Sequence, residues 1–144
     1  MRRYSPLFLV VIFLCSRLAV GAPGAYSTIC VRGETFSRTI LWQDSGGDAV
    51  DLTSYSAELV IVNFGPKLFD NDTRGLRTTV KTLTESSGLT LGGTAGTILW
   101  EMTAVQTAIF PLGHLLYSIK LTSGVGVVTY LLQGAVNVED VATE

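Results

Sequence analysis

Through most of this chain, apolar side chains recur at every second position in short runs, and each run ends at a cluster of Gly, Asp, Asn, Ser or Pro. In residues 97–102, Ile98, Trp100 and Met102 fall on one face. A period of two is the side-chain period of a β-strand, so it restricts the fold to a β-rich architecture with frequent reversals. Residues 26–31, 35–43, 56–63, 76–84, 89–91, 97–102, 115–122 and 127–138 all read as strands. In residues 26–31, Ile29 and Val31 form the apolar side and Thr28 and Cys30 the other. Residues 56–63 form an apolar, β-branched run with the composition of a central strand.

The punctuation between these runs has a mechanism. Asp44-Ser45-Gly46-Gly47-Asp48 combines glycines that accept positive φ with side chains that bond their own backbone, and it reads as a hairpin loop. Glu85-Ser86-Ser87-Gly88 and Ser123-Gly124-Val125-Gly126 read as turns, the second closing a hairpin. Residues 64–75 hold Gly, Pro and the Asp70-Asn71-Asp72 cluster and read as a long exposed loop. A single helix is expected at residues 103–109. There Thr103 and Gln106 have capping-box spacing and Pro111 ends the segment. About eight strands and one short helix in a chain of 144 residues predict an all-β fold. The expected form is an antiparallel β-sandwich of immunoglobulin-like size, occupying residues 26–144 as one domain.

Residues 1–25 are of another kind. Arg2 and Arg3 precede an unbroken apolar run from Leu7 to Cys15, and Ala19-Val20-Gly21-Ala22 supplies small residues beyond it. That is the layout of a secretory signal peptide, with cleavage expected after Gly21 or Ala22. The run is about half the ~20 residues of a bilayer-spanning helix, so no stable membrane span is expected. An apolar arm that packs on a partner, or a start-site extension, is the other reading. Loss of Arg2, Arg3 and Arg17 with the leader would take the formal net charge from −2 to −5. An acidic body does not suit the phosphate backbone, so no nucleic-acid partner is expected.

The chemistry-bearing residues are few. His114 is the sole histidine, a triad needs a base held by a third group, and no partner for His114 is evident in sequence. One histidine and one body cysteine, Cys30, do not make a zinc site, and Cys30 is expected to be a buried, inert thiol. Asp44, Asp48 and Asp51 surround the Gly46-Gly47 turn and are expected to cap it rather than act as a carboxylate pair. Asp70-Asn71-Asp72 has oxygen ligands suited to calcium, but the twelfth position of the corresponding loop is Lys81 instead of a bidentate glutamate. Gly92-Gly93-Thr94-Ala95-Gly96-Thr97 lacks the lysine of a phosphate loop. Trp42 and Trp100 are expected in the core. No catalytic residue, cofactor or metal is predicted.

Several segments in order carry a resemblance: Val31-Arg32-Gly33-Glu34-Thr35-Phe36, Leu41-Trp42-Gln43-Asp44-Ser45-Gly46-Gly47 and Asp51-Leu52-Thr53-Ser54-Tyr55-Ser56-Ala57. They are followed by Leu89-Thr90-Leu91-Gly92, Gly96-Thr97-Ile98, Thr103-Ala104-Val105-Gln106-Thr107-Ala108 and Leu131-Leu132-Gln133-Gly134-Ala135-Val136-Asn137-Val138. From about residue 29 to 138 the chain resembles small virion proteins of tailed phages and prophages, and more loosely the N-terminal β-sandwich of baseplate upper proteins. The resemblance implies a non-catalytic tail, baseplate or fibre-attachment component in a multi-copy assembly with itself or other virion proteins. Phe64, Lys67, Leu68, Phe69, Asp70, Asn71 and Asp72, together with outer strand edges, are the expected partner contacts. The leader is the departure from that pattern and points to the alternative, a secreted or periplasmic β-sandwich binding module.

Overall fold

Strand-forming residues fill most of the chain, and the computed structural model, which describes residues 9–13, 23–64 and 77–141, arranges them in two stacked sheets. In chain order the elements are β1 (Leu9–Phe13), β2 (Gly24–Ala25), β3 (Thr28–Val31), β4 (Phe36–Gln43), β5 (Ser56–Phe64) and β6 (Arg77–Thr84). They continue with β7 (Leu89–Leu91), β8 (Thr97–Met102), helix α1 (Ala104–Ala108), β9 (Gly113–Thr122) and β10 (Val128–Glu139). One sheet has the order β1-β4-β8-β7; the other runs β2-β10-β9-β5-β6, with β3 also on β10. The strand order of β4-β8-β7 facing β6-β5-β9-β10 is that of an immunoglobulin-type sandwich. The pairs β4/β8, β7/β8, β5/β6, β5/β9 and β9/β10 are antiparallel, as expected. The N-terminal strands are the exception: β1 runs parallel to β4, and β2 and β3 run parallel to β10. These pairs join strands far apart in sequence, so no tight turn imposes an antiparallel sense.

The core lies between the sheets. Phe36 and Ile40 of β4 and Ile98, Trp100 and Met102 of β8 meet Leu59 and Ile61 of β5 and the alternate residues Leu115, Tyr117, Ile119 and Leu121 of β9. Trp100 is fully buried and spans the gap, with its ring centroid 4.7 Å from Phe36 and 5.0 Å from Tyr117. Trp42 is half-buried and packs edge-on against Tyr55.

Two local expectations are corrected. The Gly46-Gly47 turn is a tight turn, with Asp44 Oδ1 accepting from the N–H groups of Gly46 and Asp48, but it does not join hairpin partners. It closes a single bridge, Gln43 to Ala49, and the chain then crosses to the other sheet. Both sides of β4 are already taken, by β8 and β1, so β5 finds its partners elsewhere. In β3 the inward face is Thr28 and Cys30, while Ile29 is 50% exposed. Pairing decides this, because Thr28 and Cys30 stand opposite the buried Val136 and Val138. Arg38 Nε donates to the Thr28 hydroxyl at 3.1 Å, which satisfies a buried polar atom on that face.

Helix α1 forms where expected, with both capping-box bonds made: Gln106 N to Thr103 Oγ1 at 3.3 Å and Thr103 N to Gln106 Oε1 at 2.9 Å. Its fully buried Thr107 ties the helix to the turn between β3 and β4. The hydroxyl donates to Glu34 O at 2.7 Å and accepts from Gly33 N at 3.2 Å. Thr107→Val keeps the shape and removes both bonds. A loss of about 1–3 kcal/mol in unfolding free energy is expected, measured by urea denaturation.

Candidate functional site

The alternation that fills the core leaves the opposite residues of β5, β9 and β10 facing outward, and part of that outer face is apolar. On β9 the core positions Leu115, Tyr117, Ile119 and Leu121 force Leu116 outward. It stands opposite Val62 of β5 and Ala135 of β10. On β10 a register shift between Tyr130 and Leu132 sends both Leu131 and Leu132 inward and Tyr130 outward. Phe64 is 48% exposed, Leu116 44%, Val128 51% and Tyr130 55%. With Val60, Val62, Arg77, Ser118 and Gln133, three of these, Phe64, Leu116 and Tyr130, line an open depression of about 380 Å³, while Val128 lies at the far end of the face opposite Thr122. Toward the other end of the same face the surface turns polar: Lys120 Nζ meets Glu58 Oε1 at 2.9 Å, and this hydrogen bond and the carboxylate's charge raise the lysine pKa. The face therefore carries an apolar area beside an ion pair.

Of the expected contact residues, Phe64 lies on this face at the end of β5, while Lys67, Leu68, Phe69, Asp70, Asn71 and Asp72 lie outside the described residues. Leu116, Val128 and Tyr130 were not anticipated. The signal for Leu116 lies in its place between Leu115 and Tyr117, in a run whose apolar residues recur at every second position from Leu115 to Leu121. The signal for Tyr130 depends on the register shift, which periodicity does not reveal.

The remaining polar groups have structural tasks. Asp44 caps its turn. Asp51 accepts from Thr53 Oγ1 at 2.5 Å and from Thr53 N at 2.9 Å, which holds its pKa below the usual carboxylate value. Glu85 Oε1 accepts from Ala57 N at 3.2 Å. His114 is exposed at the start of β9, and its Nδ1 is hydrogen-bonded to Asn137 Oδ1 across the β9–β10 pair, a partner that sequence proximity did not disclose. Burial pushes the Cys30 thiol up to about 11, so at neutral pH it is protonated and a poor nucleophile. Among the described residues no three His, Cys, Asp or Glu side chains converge as a metal site. Among the same residues no helix is long and apolar enough to cross a membrane.

No protein-family model and no curated protein matches the chain. Among solved structures, extracellular domains 3–5 of Drosophila OTK are similar to it at a TM-score of 0.33 and 17% identity, over 80% of this chain and 33% of that one. The chain thus spans about a third of that structure's length, and a likeness this weak carries no argument about function.

Proposed function

We propose that the chain is a non-catalytic structural component of a tailed-phage or prophage virion, in a tail, baseplate or fibre attachment, that works by docking its outer sheet face on neighbouring subunits. The observation that carries this reading is the apolar area formed by Phe64, Leu116 and Tyr130 with Val60 and Val62 on the exposed side of β5, β9 and β10. Outward positions of a solvated sheet are ordinarily polar, and a contiguous apolar area there is characteristic of a protein–protein contact. The ordered turn and strand motifs that resemble virion proteins give the class of partner. Repetition on a symmetric scaffold would multiply contacts that are individually weak.

Leu116→Lys tests it. The side chain is exposed, so stability should move by no more than about 0.5 kcal/mol, while a charge at the centre of the contact should weaken docking about tenfold. Co-sedimentation with assembled particles reads the effect. Equal incorporation of the variant, or a wild-type chain that never accompanies particles, would end this reading. The apolar run after Arg2-Arg3 favours a second one, a secreted or periplasmic binding module, and a mature N-terminus at Ala22 or Pro23, read by mass spectrometry, would select it.

A further inference from the structure

A sandwich has open strand edges, and each presents backbone N–H and C=O groups that another strand can pair with. Three of the edges here are blunted. β6 carries Arg77 and Lys81, and its pairing with β5 shifts register between Ile61 and Val62. β7 has three residues. The edge beside β10 is divided between the two residues of β2 and the four of β3. The fourth edge is β1, and it has none of these devices. Its five residues, Leu-Val-Val-Ile-Phe, include no charge, proline or glycine, and they pair with β4 without a shift, from Leu9 opposite Thr39 to Phe13 opposite Gln43. No described strand pairs with the far side of β1.

We propose that this edge is a self-association site, where β1 of a second copy pairs antiparallel with β1 about a twofold axis near Val11, joining two four-stranded sheets into one of eight. The occupant follows from the edge itself. An isologous contact needs a self-complementary strand, and a short uncharged run of β-branched and large apolar residues pairs with its own reverse. Strand addition supplies backbone hydrogen bonds without a pocket. This inference concerns the sheet opposite the outer face of β5, β9 and β10, and it stands or falls apart from the virion reading.

The test uses the full chain. Sedimentation should show a dimer that Val11→Lys converts to monomer with the thermal transition retained, whereas Leu116→Lys should leave the dimer intact. In a Cys15→Ser, Cys30→Ala background, Val11→Cys should oxidise to a covalent dimer near the twofold axis. A wild-type chain that stays monomeric at high concentration, a dimer that survives Val11→Lys, or absence of the Val11→Cys crosslink would overturn the proposal. So would a crosslink formed only between Val11→Cys and Leu41→Cys of different copies, which marks strand exchange, or a mature chain that begins at Ala22 or Pro23.

Discussion

Trp100→Ala should lower the unfolding free energy by about 3–5 kcal/mol, a large part of the ~5–15 kcal/mol that holds a domain of this size together. The indole is fully buried and connects the sheets, standing between Phe36 of its own sheet and Tyr117 of the opposite one. Removing it leaves a cavity that two hydrogen-bonded sheets cannot readily close, because each is held flat by its own ladders. A second substitution separates packing from polarity. Trp100 Nε1 has no hydrogen-bond partner among the described residues, so Trp100→Phe discards a donor that was unsatisfied and keeps most of the ring contact. Its loss should be well below that of alanine. Urea midpoints of the two variants measure this, and an alanine loss under about 1 kcal/mol would show that the sheets are held together elsewhere.

The elements that sequence exposes well are those whose cause is local. Ile98, Trp100 and Met102 alternate within one strand, and Thr103 and Gln106 cap a helix from three residues apart; neither depends on distant partners. What sequence conceals is set by pairing. The strand after the Gly46-Gly47 turn crosses to the other sheet because both sides of β4 are occupied, and one occupant, β1, comes from an apolar run that shows no alternation and reads as a leader. The inward face of β3 follows from its register on β10, so Thr28 and Cys30 turn inward in place of Ile29. The outer apolar area is intermediate: Leu116 is implied by the core residues on either side of it, while Tyr130 is turned outward by a register shift that only the β9–β10 pair defines.

The same dependence on distant partners makes Gly134 a sensitive position. It lies in the interior of β10, opposite Tyr117, with no positive φ to explain it. The reason is contact: a Cβ at this position would lie 1.7 Å from Tyr26 O and 2.6 Å from Tyr26 C. That carbonyl accepts the Tyr117 hydroxyl at 2.6 Å, while Tyr26 N donates to Gln133 O at 3.0 Å. Burial keeps the Tyr117 pKa well above its usual value, so the hydroxyl remains protonated and continues to donate. Gly134→Ala must push the backbone at Tyr26 away from β10, breaking both bonds and leaving the Tyr117 hydroxyl buried without its acceptor. Overpacking and an unsatisfied donor each cost about 1–3 kcal/mol, so a combined loss of about 3 kcal/mol is expected. Tyr117→Phe removes the hydroxyl while leaving the backbone in place, and its loss should be smaller. Hydrogen exchange distinguishes the two: Gly134→Ala should deprotect β2, β3 and the facing part of β10 together, whereas Tyr117→Phe should leave β3 protected. Equal protection of β3 in both variants would mean that the N-terminal strands are not seated through the contact of Gly134 with Tyr26.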